Sequence, residues 1–127
     1  MEIFPQVPSS ILTPTYNRSK FIPLYIHNLN NIDYDKSILE VIIDDDGEEP
    51  FIKDLDLFKK AIFPISVVYI KSNVRKTIGE KRNNLIKKSK NKIICFMDDD
   101  DIYHSQYINY SFQTLKNNKA GLVGSPQ

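Results

Sequence analysis

The chain has 127 residues, enough for one domain with a packed core and too few for two. Apolar residues make up 41% and charged residues 26%, and the net charge of +1 supplies no global field for nucleic acid or a membrane surface. No signal peptide pattern and no apolar run long enough to cross a bilayer occurs, so no membrane segment is expected. The single cysteine, Cys95, excludes an intrachain disulfide and a zinc cluster. It fits a reducing compartment, so a cytoplasmic protein is expected, in the host cytoplasm if the source is viral. There is no internal repeat and no linker, and a single domain over residues 1–127 is expected, possibly the first part of a longer chain.

In chain order, residues 9–13 form a short predicted strand, stopped by Pro14. Residues 18–30 bring Phe21, Leu24, Tyr25, Ile26 and Leu29 close to helical spacing, with Asn17 as the cap. Pro23 is tolerable there only in the first turn. Residues 39–43 are a second buried strand, and residues 51–62 a second helix carrying Phe51, Ile52, Leu55, Phe58 and Ile62. The β-branched run at 65–70 is a third strand. A helix at 77–89 is expected to turn Ile78, Leu85 and Ile86 inward, and the apolar run at 92–97 is a fourth strand. A last helix at 106–118 presents Tyr107, Ile108, Phe112 and Leu115, and a fifth strand is expected to start at 121–124. Strands alternating with helices predict an α/β fold, a mostly parallel sheet covered on both faces.

The chemistry concentrates at strand ends. Asp98-Asp99-Asp100-Asp101 follows the buried run Ile93-Ile94-Cys95-Phe96-Met97. Like charges gathered at one strand tip repel unless water screens them or a cation neutralises them. Hard divalent cations take carboxylate oxygens, and Mg²⁺ commonly combines one or two of them with substrate phosphates. The bland alternative is a helix N-terminus or a solvated turn. It suits one aspartate better than a run of four. A second acidic group, Asp44-Asp45-Asp46-Gly47, ends the second strand; its bland reading is an Asp-Gly turn. With the Thr13-Pro14-Thr15-Tyr16-Asn17 turn, three polar loops then share the carboxyl rim of the sheet, where a nucleotide binds in such folds.

Other features exclude more than they suggest. An EF-hand fails because the sixth position from Asp44 is Glu49 and not glycine. A P-loop fails for want of the glycine spacing and the Lys-Ser/Thr pair. His27 and His104 are not spaced as a metal pair, although His104 follows the acidic run closely. Lys87, Lys88, Lys90 and Lys92 suit a solvated helix end and turn. Gly79-Glu80-Lys81-Arg82-Asn83 at a helix start suits either phosphate contacts or plain surface.

Four pieces together resemble a known family: Leu12-Thr13-Pro14-Thr15-Tyr16-Asn17-Arg18, Val41-Ile42-Ile43-Asp44-Asp45-Asp46-Gly47, Ile78-Gly79-Glu80-Lys81-Arg82-Asn83, and Phe96-Met97-Asp98-Asp99-Asp100-Asp101. In order and spacing they resemble the nucleotide-sugar half of family 2 glycosyltransferases with the GT-A fold. The Met-Asp-Asp-Asp-Asp version is similar to a viral and bacterial subgroup.

The resemblance implies a Rossmann-like GT-A fold and a glycosyltransferase, of hexosyl type and inverting, that binds a nucleotide-sugar donor, a UDP-sugar by preference. It implies that Pro14, Thr15 and Tyr16 hold the base, with Arg18 in the same loop. Asp45 or Asp46 contacts base or ribose; the family has one aspartate fewer there. Arg82, with Lys81, approaches the nucleotide, as does Asp99. Asp98 and Asp100 form the Asp-x-Asp pair that holds Mn²⁺ or Mg²⁺, and Asp98 also faces the nucleotide. The acceptor is a glycan, a protein or a lipid, nucleic acid is not expected as a partner, and homo-oligomerisation stays open. In the family the general base comes from the second half, and no residue of this chain is assigned to that role. The alternative is a non-catalytic module that binds nucleotide-sugar and metal without the acceptor half. A receiver-like or phosphatase-like domain needs an aspartate after the first strand, where this chain has Thr13-Pro14-Thr15-Tyr16.

Overall fold

The structure is a computed structural model and describes residues 7–100. The helix predicted at 106–118, the strand predicted at 121–124, Asp101 and His104 lie outside the described residues.

The described elements alternate as the apolar patterning predicts: β1 (Ser9–Thr15), α1 (Ile22–Asn30), β2 (Leu39–Asp45), α2 (Leu55–Ala61), β3 (Ser66–Lys71), α3 (Ile78–Lys88) and β4 (Ile93–Phe96). The four strands form one sheet in the order β3-β2-β1-β4, and every pairing is parallel. All carboxyl ends therefore lie on one edge, and the loops after β1, β2 and β4 meet there. This is the α/β Rossmann-like architecture expected from the sequence.

Strand alternation divides the core in two. Ile11, Val41, Ile43 and Cys95 pack with Tyr25 and Leu29 of α1 and Phe58 of α2. Leu12, Ile42, Ile94 and Phe96 pack on the other face with Leu85 of α3. Tyr25 meets Phe51 edge-on at 5.4 Å and stacks with Phe58 at 6.3 Å, which ties α1 to α2 and the loop before it. Full burial of each such side chain contributes about 1.5–3 kcal/mol. Cys95 is buried within this core.

Several local expectations are corrected. β1 does not stop at Pro14 but pairs through Thr15 with Asp45. The partner strand β4 has already ended opposite Leu12, so a proline beyond that point interrupts no bond to β4. Asn17 does not cap α1. Residues Ser19–Phe21 form a 3-10 turn first, and Pro23 then sits in the opening turn of α1, where its missing N–H costs nothing. Phe51 and Ile52 are not helical but are buried in the loop before α2, whose start is set by Asp54 accepting from Leu57 N. Ile78 and Ile86 do not point inward; they are 58% and 40% exposed. The face of α3 turned to the protein carries Lys81 and Leu85, one turn apart. Thr77 and Glu80 close a capping box at the start of α3, which fixes where that helix enters the rim. Among the described residues, no helix is long and apolar enough to cross a membrane.

Candidate functional site

The rim is built by three loops and one helix start. After β1 the chain turns through Asn17, whose positive φ of 52° is one that asparagine tolerates. Its Oδ1 accepts from Glu49 N, and the loop after β2 closes against it so tightly that a Cβ at Gly47 would lie 2.6 Å from Asn17 N. Glycine is thus required there by close approach, beyond the turn preference visible in the sequence. At the foot of the loop, Thr13 Oγ1 donates to the carbonyl of Met97 at 2.7 Å and shares a hydrogen bond with Tyr25 at 2.6 Å. The ends of β1 and β4 are joined there.

The aspartates after β2 are all buried and all met by protein donors. Asp44 accepts from Lys76 Nζ at both carboxylate oxygens, at 2.8 and 3.0 Å, and also from Asn84 Nδ2 at 3.1 Å. Asp45 accepts from Gly47 N, Phe51 N and the Tyr69 hydroxyl, so it organises the loop beneath it. Burial, then the hydrogen bond to Asp45, pushes the Tyr69 phenol well above its ordinary range. Asp46 accepts from Lys81 Nζ at 2.6 Å and from Lys76 N at 2.6 Å. Burial opposes its ionisation, but the Lys81 hydrogen bond, the Lys76 N–H and the Lys81 charge outweigh that and hold its carboxyl below the ordinary value. Lys81 is itself buried and also donates to the carbonyl of Thr15 at 2.7 Å. One ammonium therefore ties together the β1 loop, the β2 loop and α3.

The tip of β4 differs. Asp99 is 5% exposed and accepts a short hydrogen bond from Thr15 Oγ1. Its carboxyl is pushed up, first by burial and then by the negative neighbours Asp100 and Asp98, against the Thr15 hydrogen bond and the Arg18 charge. Asp99 and Asp100 form no ion pair among the described residues.

Between these parts opens a cleft of about 310 Å³ lined by Pro14, Thr15, Tyr16, Arg18, Arg75, Lys76, Ile78, Lys81, Asp98, Asp99 and Asp100. Of the residues predicted from the sequence, Pro14, Thr15, Tyr16, Arg18, Lys81, Asp98, Asp99 and Asp100 come together here. Asp45 and Asp46 lie beneath the cleft without lining it. Arg82 is elsewhere: its guanidinium carbon sits 5.2 Å from the centroid of Phe96. Sequence reasoning missed Arg75 and Lys76, which line the cleft directly, and Asn84. The available signal was a basic pair just ahead of the Thr77 capping box, at a helix start that faces the rim. No group of three His, Cys, Asp or Glu side chains among the described residues converges closely enough to hold a metal ion. A larger hollow of about 770 Å³ lies along α1 and α2, but it includes neither Tyr16 nor any residue of the acidic tip.

A parallel sheet of this order carries an aromatic loop, a basic helix start and an acidic tip on its carboxyl rim, the edge where open α/β sheets bind ligands. The family model for glycosyl transferase family 2 matches residues 10–127, and the chain belongs to that family. A curated relative, Glycosyltransferase AglE of Haloferax volcanii, is 24% identical over 115 residues, covering 91% of this chain and 38% of the relative. The mannosyltransferase PcManGT from Pyrobaculum calidifontis, solved with GDP-Man and Mn²⁺, superposes with a TM-score of 0.78 at 16% identity, over 87% of this chain and 33% of that one. S. aureus TarS 1-349, solved in complex with UDP-GlcNAc, superposes with a TM-score of 0.72 at 20% identity, over 95% of this chain and 37% of that one. The fold is therefore that of GT-A glycosyltransferases, and this chain spans less than two-fifths of the length of these relatives.

Proposed function

We propose that the chain is the donor-binding part of a metal-dependent glycosyltransferase that takes a nucleoside-diphosphate sugar, a UDP-sugar by preference, and passes the sugar to a glycan, protein or lipid acceptor. The observation that carries this reading is the hydrogen bond from Thr15 to Asp99, which makes the aromatic β1 loop and the acidic β4 tip two walls of one cleft. Tyr16 offers a ring on which a base stacks. Pro14 and Thr15 shape the floor, and Arg18 brings a cation to the phosphates. Lys81, committed to Asp46 and the Thr15 carbonyl, positions both loops more than it meets the ligand. Asp46 is the better of the two candidates for reading uracil N3–H. Each of its oxygens takes one protein donor and keeps acceptor capacity, whereas Asp45 already accepts from two N–H groups of its own loop and from the Tyr69 hydroxyl of β3.

A divalent cation fits the residues present. The tip offers hard carboxylate oxygens, and burial together with the like charges of Asp100 and Asp98 pushes the Asp99 carboxyl up, against the Thr15 hydrogen bond and the Arg18 charge. Asp98 and Asp100 would hold Mn²⁺ or Mg²⁺ together with phosphate oxygens. When bound, the ion supplies Lewis-acid stabilisation of the departing diphosphate. In the transfer the bond from the anomeric carbon to the diphosphate oxygen breaks and the acceptor oxygen bonds to that carbon, with inversion. The acceptor proton then needs a base. Every carboxylate lining the cleft belongs to the acidic tip, so none is left for that role among the described residues. The second reading is a module that binds donor without turnover.

Calorimetry of UDP and GDP with and without Mn²⁺, on the wild type and Asp100→Asn, tests the first reading. We expect UDP to bind more tightly with Mn²⁺ and the gain to vanish in Asp100→Asn. Equal UDP affinity in all conditions rejects the metal role, and GDP binding as tight as UDP rejects the base preference. For the purified 127 residues we expect donor binding with turnover near background. A general base is typically worth roughly 10²–10⁴-fold in rate. Transfer at about 1–10³ s⁻¹ would discard the binding-module reading and require a base within this chain or in a partner.

A further inference from the structure

The guanidinium of Arg75 lies on the ring of Tyr16, with its central carbon 3.8 Å from the ring centroid. Both residues line the cleft. Arg75 stands on the exposed loop just ahead of the Thr77 cap and forms no ion pair among the described residues. The neighbouring cations are committed: Lys76 pairs with Asp44 and Lys81 with Asp46. Arg75 is thus a guanidinium outside the ion pairs of the described residues, lying over the Tyr16 ring in the cleft.

We propose that Arg75 determines the preference of this cleft for nucleoside diphosphates over nucleosides, by giving up the Tyr16 ring to the base and taking the phosphates in exchange. The inference rests on the donor-site reading above. A base stacking on that ring face and a guanidinium 3.8 Å above it cannot share the same space. A nucleoside must displace Arg75 with nothing to offer the freed cation. A nucleoside diphosphate returns a bidentate, charge-assisted partner to the same side chain. Beside Asp98, Asp99 and Asp100 the phosphates also need local positive charge, and Arg75 and Arg18 are the cleft cations outside the ion pairs with Asp44 and Asp46.

The test compares uridine, followed by ligand-observed NMR, with UDP, followed by calorimetry, at fixed Mn²⁺ and ionic strength. An exposed cation–π contact is worth about two- to fivefold in an equilibrium, so Arg75→Ala is expected to tighten uridine by that factor. A hydrogen bond to a charged group is worth roughly tenfold or more, so the same variant is expected to weaken UDP by about that amount. The signs are opposite, and the UDP-to-uridine preference falls by about twentyfold or more. Arg75→Lys, which keeps the charge without the planar stack, should recover part of the UDP affinity while uridine stays tight. If both ligands tighten alike, Arg75 only covers the ring and the proposal fails. If both weaken alike, it is a general contact and the proposal fails. A wild type that binds neither ligand overturns the donor-site reading and this inference with it. A wild type that binds UDP with an unchanged preference in Arg75→Ala overturns this inference alone. The exposed loop position keeps the substitution away from the core, and circular dichroism confirms the fold.

Discussion

At the end of β2, Asp44, Asp45 and Asp46 are each met by ammonium, hydroxyl or backbone N–H donors, whereas at the end of β4 Asp99 and Asp100 form no ion pair among the described residues. The two tips carry the same residue type on the same sheet edge. Buried Asp46 is held ionised by Lys81 and Lys76, and equally buried Asp99 is pushed toward its neutral form by burial and its acidic neighbours. The comparison teaches what burial of a carboxylate means. Where the protein supplies the counter-charge, a buried carboxylate is held ionised; where burial and like-charged neighbours outweigh its partners, it is pushed toward the neutral form.

The largest effect is expected from stripping the β2 side of its cation. Lys81→Met leaves Asp46 buried and uncompensated, so urea denaturation should show a loss of about 3–5 kcal/mol. Adding Asp46→Leu to that variant should recover part of the loss, because an apolar pair has no charge to desolvate. Full stability in Lys81→Met alone would erase the contrast between the tips. Next comes Gly47→Ala, whose Cβ would press on Asn17 N at 2.6 Å; overpacking of this kind costs about 1–3 kcal/mol, read as a lowered Tm. An unchanged Tm would mean the β2 loop is not closed as described. A smaller pair of changes, each about 1 kcal/mol, should have opposite signs. Without ligand at neutral pH, Asp46→Asn lowers Tm, while Asp99→Asn raises it, since the amide oxygen still accepts from Thr15. Equal signs would mean that both tips are compensated alike.

The mildest test is pH. Asp46 has its folded carboxyl below the ordinary value, so its contribution is present above the unfolded value of 3.8 and is lost as pH falls through the folded one. Asp99 works the other way: its destabilisation is present at neutral pH and is relieved as acid protonates it at or above the ordinary value. Chemical denaturation from pH 7 to pH 3 should therefore show a steeper acid loss in Asp99→Asn than in Asp46→Asn. The reverse order would reject the assigned shifts.

The two tips also mark how far the residues could be read alone. Apolar runs bounded by polar loops located β1, β2, β3 and β4, because a buried strand needs an unbroken apolar run whatever surrounds it. Alternation of strand and helix set the parallel order and so put three loops on one rim. A helix at 77–89 was legible as well, and the structure closes a Thr77-Glu80 capping box at its start. The inward face of α3 was not legible. Ile78 and Ile86 satisfy a simple apolar count, yet the face that meets the rim carries Lys81, whose burial depends on Asp46 and Thr15 being opposite.

Sequence alone determined that carboxylates gather at two strand ends, that Thr15 and Tyr16 stand in the loop beside them, and that no P-loop or EF-hand is present. These are properties of residue type and spacing along the chain. Only the tertiary structure decided which aspartates meet a cation, that Arg82 lies over Phe96, and that Arg75 lies over Tyr16. Charge compensation and stacking act through space over a few ångströms, between residues 35 apart for Lys81 and Asp46 and 84 apart for Thr15 and Asp99. Spacing along the chain carries no record of such pairs until the sheet has brought its loops together.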